Sequence, residues 1–137
     1  MDSMIIIMFV AIIFVGVLLL VIVGATRKAP AGIDREAFRS KWLAIEKNAT
    51  GDDSARKMAI ISADTLVDQA LKARRFGGNT MGERLKSAQK QLSNPNAIWA
   101  AHKLRNRIAH EDIAISAISA RQALKAFKIA LKDLGAL

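Results

Sequence analysis

Both histidines of the chain and a dense group of cations lie in one segment, residues 99–111, whose sequence is WAAHKLRNRIAHE. On an α-helix, His102, Asn106 and His110 would be spaced at i, i+4 and i+8 and would share one stripe. Arginine presents a planar fork of donors that suits a phosphate group, and histidine can exchange a proton near neutral pH. An arginine and a histidine in one cleft would therefore suit phosphodiester cleavage without a metal.

The two residues best suited to that chemistry do not share a helix face. Arg105 and His110 are five residues apart, which is about 140° around an ideal helix. They can meet if His110 lies on a fraying last turn, or if a second copy of the chain supplies one of them. A structural interpretation stays open beside this one: Arg105 and Arg107 would stabilise the C-terminal end of their helix, and His110 would cap it.

The sequence predicts no metal and no cofactor. The chain contains no cysteine, which excludes a disulfide scaffold, a cysteine-ligated zinc site and a thiol nucleophile. His102, Asn106 and His110 make a poor metal site because no carboxylate or third histidine joins them at ligand spacing. Any hydrolytic activity should therefore be independent of metal.

Residues 105–110, with the sequence RNRIAH, resemble the signature of the HEPN superfamily. That signature is an arginine, a polar residue that is often asparagine, and a histidine a few residues later, placed late in the third main helix. Members are small α-helical bundles, commonly dimeric, and many are metal-independent endoribonucleases. The resemblance implies that Arg105 holds the scissile phosphate of an RNA, His110 acts on the 2′-hydroxyl or the leaving oxygen, and Asn106 orients them. Further phosphate or nucleic-acid contacts would come from the neighbouring side chains Lys103, Arg107 and His102.

The chain departs from the family pattern at two places. Some toxin-type members carry a tyrosine two residues after the histidine, where this chain has Asp112, and the chain contains no tyrosine. Glu111 and Asp112 also bring two carboxylates next to the expected phosphate site. Since some members keep the fold without catalysis, three interpretations stay open: an endoribonuclease, a non-catalytic dimerisation or binding module at the inner membrane face, and a basic structural protein on the membrane surface. The sequence identifies no protein partner.

An apolar segment near the N-terminus predicts a membrane anchor. Residues 4–25 contain no charged side chain, and 22 helical residues span about 33 Å, enough for a hydrocarbon core of about 30 Å. The segment is longer than the core of a cleavable signal peptide, and Asp2 makes the preceding residues acidic instead of basic. Arg27 and Lys28 follow it and no cation precedes it. We therefore expect a single span from Met4 to Gly24 in the cell membrane, with the C-terminal domain in the cytoplasm.

The remaining residues predict a basic, all-α domain. The net charge of the chain is +9, and +8 of it belongs to the residues after Pro30, a charge that could attract either anionic lipid or RNA. Helix signals predict segments at 33–48, 54–75, about 80–93 and 94–110, and a last helix opened by a capping box at 119–122. We therefore expect an anchor with its flanks at 1–28, a linker at 29–33 and a HEPN-like bundle of four to five helices at 34–137.

Overall fold

The computed structural model describes residues 3–26 and 32–137, and the chain divides into two compact units between Ala31 and Gly32. Within these ranges every regular element is a helix and no strand forms, so the predicted all-α class is confirmed. The α-helices of the described ranges are α1 (Ser3–Thr26), α2 (Arg35–Asn48), α3 (Asp53–Ala73), α4 (Met81–Ser87), α5 (Pro95–His110) and α6 (Ala117–Asp133), with a 3-10 turn at Gln89–Gln91 after α4.

Helix α1 forms the first unit and is long and apolar enough to cross a membrane. Its 24 residues extend about 36 Å at the usual helical rise. Its side chains from Ser3 to Val23 are all exposed. A signal sequence near the N-terminus satisfies the same criteria of length and composition. The cations that predict the orientation, Arg27 and Lys28, lie outside the described residues.

The second unit is a helical bundle whose helices begin at side-chain caps. Asp34 Oδ1 accepts a hydrogen bond from the Ala37 amide at 3.2 Å, and Asn94 accepts one from the Ala97 amide at the start of α5. Such a cap satisfies one of the amides that have no partner in the first turn of a helix. The expected capping box between Thr80 and Glu83 is present at α4.

The expected start of the last helix was wrong. Helix α6 begins at Ala117, because Ser116 and not Ser119 is its N-cap. The Ser116 Oγ accepts a hydrogen bond from the Ser119 amide at 3.1 Å, so Ser119 already lies in the first turn. Two serines three residues apart offer two alternative caps, and the helix starts at the earlier one.

Helix α3 lies at the centre of the bundle and packs against α2, α4, α5 and α6. Its apolar stripe meets the apolar face of α6, and the largest fully buried side chains include Phe127, Ile60, Leu71, Leu131 and Leu134. Burial of one such side chain stabilises a fold by about 1.5–3 kcal/mol. Because α3 contacts every other helix of the bundle, a polar side chain on its stripe will meet residues from a neighbouring helix.

A buried ion pair attaches the short helix α4 to α3. The guanidinium of Arg84 donates from Nε and Nη2 to the two oxygens of Asp68, at 2.7 and 3.0 Å, and from Nη1 to the Gly78 carbonyl at 2.8 Å. The backbone of Gly78 has a φ of +149°, and a Cβ there would lie 2.8 Å from the Arg84 nitrogen. Only glycine fits this close approach, which fixes the loop against α4.

Candidate functional site

The candidate site begins with a carboxylate on the apolar stripe of α3. Asp64 follows Ala63 and lies one turn from Ile60 and from Val67, which are all buried, and Asp64 itself is only 4% exposed. A carboxylate in such a position must be paired or hydrogen-bonded, because the loss of its hydration is otherwise costly. Its partners come from α5, the helix that carries the arginine and both histidines.

His102 is the closest partner of Asp64. Its Nδ1 lies 2.8 Å from Asp64 Oδ1, and the side chain is 12% exposed. This contact occupies Nδ1 and leaves Nε2 as the ring nitrogen available for another contact. The indole of Trp99 meets the imidazole edge to face, with the ring centres 6.0 Å apart. His102 is therefore fixed on two sides.

Arg105 lies beside the same carboxylate. Its Nε is 3.5 Å from Asp64 Oδ2, an ion pair too long for a good hydrogen bond, and this Nε is buried with no hydrogen-bond partner. Its Nη1 donates to Asn106 Oδ1 at 3.2 Å. About a third of the Arg105 side chain is exposed. The inner edge of the guanidinium thus faces the Asp64 carboxylate, and part of its donor fork is accessible to an anion.

These residues line an open cavity of about 470 Å³ between α3, α5 and the start of α4. Asp64, His102, Arg105 and Asn106 form one wall, and the rest of the lining comes from Thr65, Asp68, Thr80, Met81 and Gly82. Burial raises the pKa of Asp68, but the hydrogen bonds from Arg84 and Lys72 together lower it by more than burial raises it. The net shift of the Asp68 pKa is therefore downward. The cavity therefore holds two carboxylates, and each lies beside at least one cation, Arg105 for Asp64 and Arg84 for Asp68.

Three of the six residues singled out from the sequence meet in this cavity. His102, Arg105 and Asn106 line it together, whereas Lys103 is exposed on α5 outside it. The guanidinium of Arg107 is directed to Glu111, with 3.3 Å between Nε and Oε2, on an exposed part of the same helix. Arg107 thus neutralises one of the two carboxylates that the sequence brings close to the expected phosphate site.

His110 is not among the residues of the cavity. It is the last residue of α5 and is exposed. The helix stays regular up to it, since the amide of Glu111 donates to the Arg107 carbonyl at 2.7 Å, so the ideal angular separation from Arg105 applies. Among the described residues, the His110 side chain makes no hydrogen bond or ion pair, and the C-cap is Glu111. No contact of the His110 side chain therefore supports the capping role considered for it.

Asp64 is the residue that the sequence analysis missed. A signal for it was present, because Asp64 interrupts the stripe formed by Ile60, Ala63 and Val67 at a position where the helix faces the core. A carboxylate there has to be compensated from a neighbouring helix. Both histidines of the chain lie on α5, together with Arg105 and Arg107, so α5 is the helix expected to supply the partners of Asp64.

The described residues contain no group of three or more histidine, aspartate and glutamate side chains placed to hold a metal ion. The chemistry available in this cavity is therefore that of a cation, an imidazole and an amide held by a carboxylate. No family model, no curated protein and no solved structure matches the chain.

Proposed function

We propose that the chain is a membrane-anchored, HEPN-like helical module that acts as a homodimeric, metal-independent endoribonuclease. One observation carries the proposal: Arg105 and Asn106 lie together on an open cavity, with Arg105 beside the buried carboxylate of Asp64. The RNRIAH motif supports the same assignment. A phosphate contacting the exposed part of Arg105 would meet a donor fork in a fixed position.

The position of His110 supports a site made by two copies of the chain. His110 is exposed, makes no described polar contact and lies outside the cavity of its own copy. A twofold dimer in which α5 of one copy approaches the cavity of the other would bring the partner's His110 to Arg105. Cyclic symmetry would then create two equivalent sites.

The proposed reaction is an internal transesterification of RNA. His110 removes the proton of the 2′-hydroxyl, whose oxygen attacks the adjacent phosphorus while the bond to the 5′-oxygen of the next nucleotide breaks. Arg105 stabilises the charge that develops on the phosphate oxygens, and Asn106 and Asp64 hold Arg105 in place. The leaving oxygen takes up a proton, so the products end in a 2′,3′-cyclic phosphate and a 5′-hydroxyl.

The experiment is cleavage of single-stranded RNA by the full chain, reconstituted in neutral lipid nanodiscs, in EDTA and at low salt. Wild type should release products with 2′,3′-cyclic phosphate ends. His110→Ala should lower the rate by about 10²- to 10⁴-fold, the usual contribution of a positioned proton-transfer group. Arg107→Gln is the matched control on α5, since its charge is already paired with Glu111, and we expect it to change only the salt dependence of binding. Intact RNA after incubation with wild type would contradict the proposal.

A non-catalytic binding module is the second candidate, and the two carboxylates of the cavity favour it. Asp64 and Asp68 both line the cavity and would repel a polyanion that approached deeper than Arg105. Such a module would still dimerise and would bind a ligand with a single negative charge. RNA left intact by a well-folded wild-type dimer would support this candidate over the ribonuclease.

We also propose that α1 spans the membrane with the bundle on its cytoplasmic side. The length and composition of α1 support the span, and Arg27 and Lys28 support the orientation. A reporter enzyme fused after Leu137 should be active only in the cytoplasm. Activity outside the cytoplasm would contradict the orientation.

A further inference from the structure

A second cavity of the bundle lies between the end of α2, the start of α3 and the first half of α6. Its volume is about 660 Å³, which is within the range of small-ligand sites. Its lining is mainly apolar and includes the rings of Trp42, which is 3% exposed, and the side chain of Leu124. Ala49 and Ala117 complete the apolar part. A cavity of this kind offers a floor for an apolar group of a ligand.

Four cations and one carboxylate also line this cavity. The carboxylate, Glu46, accepts hydrogen bonds from Lys128 Nζ at 3.0 Å and from Trp42 Nε1 at 2.7 Å. These bonds lower the pKa of Glu46, the one from Lys128 most of all. Glu46 is therefore ionised near neutral pH, and it neutralises Lys128.

Among the described residues, the other three cations form no ion pair with a carboxylate, although Arg56 helps to lower the pKa of the nearby Asp53. Arg56 donates from Nε to the Ile115 carbonyl at 2.8 Å and from Nη1 to the Gly51 carbonyl at 2.9 Å. These bonds fix the position of the guanidinium, but both acceptors are neutral and do not cancel its positive charge. Arg121 and Lys125 are exposed, one helical turn apart on α6, and among the described residues neither makes an ion pair. Three positive charges thus stand beside an apolar floor.

We propose that this cavity binds a single-tailed anionic amphiphile, an acyl chain that carries one carboxylate or phosphate headgroup. Arg56, Arg121 and Lys125 would contact the headgroup, and Trp42 and Leu124 would contact the chain. Inorganic phosphate would use only the cations and a neutral lipid only the floor, so both should bind more weakly. The site shares no lining residue with the Asp64 cavity, and the inference does not depend on RNA cleavage.

Trp42 provides a direct test, because the chain contains only two tryptophans. Trp99→Phe leaves Trp42 as the single fluorophore of the full chain in phosphatidylcholine nanodiscs. Bromododecanoate should quench its emission with a saturable curve, since bromine quenches an indole that it contacts. Bromododecanol lacks the charge, and we expect it to reach half-saturation at about tenfold higher concentration or more, the equivalent of one lost charge contact. Inorganic phosphate carries no bromine and is added as a competitor, which should displace bromododecanoate only weakly.

Two double variants distinguish binding of bromododecanoate at this cavity from a general attraction of the anion to a positively charged protein. Arg121→Gln with Lys125→Gln should raise the half-saturating concentration of bromododecanoate by about tenfold or more. Lys103→Gln with Lys132→Gln removes the same charge from exposed positions outside the cavity and should leave the curve unchanged. Circular dichroism should show equal helicity in both. Equal quenching by the acid and the alcohol, or equal curves for the two double variants, would overturn the proposal.

The source of the amphiphile is decided by a third pair of probes. Lysophosphatidate and lysophosphatidylcholine with brominated chains are placed in the nanodisc. Quenching by the anionic lipid alone would assign the site to a lipid drawn from the bilayer. Quenching by bromododecanoate without quenching by either lipid would assign it to a soluble fatty acid.

Discussion

Two cavities of the bundle use its excess of cations in opposite ways. Beside α5, carboxylates lie next to the cations: Asp64 contacts Arg105 and also His102, and Asp68 binds Arg84. Between α2 and α6, Arg121 and Lys125 form no ion pair with any described carboxylate, and the floor is apolar. In a chain with a net charge of +9, an unmatched cation is common and a buried carboxylate is rare. The buried carboxylate is therefore the more informative marker of a positioned site.

The difference has a physical basis. Burial of Asp64 removes its hydration, and the fold is stable only if the groups that replace water stay in place. This requirement fixes His102 and Arg105, as a reaction that depends on alignment would need. Arg121 and Lys125 are solvated and can adapt their rotamers. They suit a ligand that is recognised by charge and an apolar tail, with no exact geometry required.

Asp64→Asn should give the largest difference between the two cavities, because it should lower RNA cleavage and leave amphiphile binding unchanged. Asparagine keeps the shape but loses the charge that holds Arg105, and a guanidinium misplaced by about 1 Å costs about 10²-fold in rate. We expect kcat for RNA cleavage to fall by that factor with little change in KM, while quenching of Trp42 by bromododecanoate stays unchanged. Glu36→Gln removes an exposed carboxylate that lines neither cavity and should change neither.

Two outcomes would contradict this comparison. Full ribonuclease activity in Asp64→Asn would mean that the carboxylate does not position Arg105. Loss of amphiphile binding together with activity would mean that the two cavities are coupled through the fold. A thermal melt of each variant distinguishes that coupling from simple unfolding.

Smaller effects are expected from Asp68, the second carboxylate of the Asp64 cavity, and from Glu46, the one carboxylate that lines the cavity between α2 and α6. The pKa of Asp68 lies below its ordinary value of 3.8 in the folded chain, so the stabilisation from Asp68 is present above that pH and is lost as pH falls through the lower, folded value. The pKa of Glu46 is lowered too, but the Glu46 side chain is 42% exposed against 18% for Asp68. Solvent screening should limit the contribution of the Glu46–Lys128 pair to less than about 1 kcal/mol.

Urea unfolding between pH 2 and about pH 7, a range that brackets the ordinary carboxylate pKa values, checks this prediction. Asp68→Asn should lower the unfolding midpoint at neutral pH and flatten its fall in acid. Glu46→Gln should do the same to a smaller extent. An equal or larger effect of Glu46→Gln would show that exposure does not decide the strength of these pairs.

The helices were predictable from the sequence because their signals are local. Asp34, the capping box at Thr80 and Glu83, and Asn94 before Pro95 each start a helix with residues three positions apart. Ser119 was wrongly predicted to start α6, because Ser116 three residues earlier offers an equivalent cap. Local spacing alone cannot rank two such caps.

The candidate site was predictable only in part. The spacing on α5 correctly groups His102 and Asn106 on one wall, and Arg105 joins them because Asp64 draws it inward. That contact joins residues about 40 positions apart, so the spacing of residues within α5 could not predict it. The cavity between α2 and α6 could not be predicted either, because Arg56 and Arg121 come from helices whose contact depends on tertiary packing.

The central claim is that Arg105 of one copy works with His110 of the other. The most direct measurement is cleavage of RNA by a purified heterodimer of Arg105→Ala and His110→Ala chains, co-expressed with two different tags. One of its two sites would hold an intact Arg105 and an intact His110, so we expect about half of the wild-type rate from two symmetric sites, while each homodimer is inactive. A heterodimer as inactive as both homodimers would contradict the composite site.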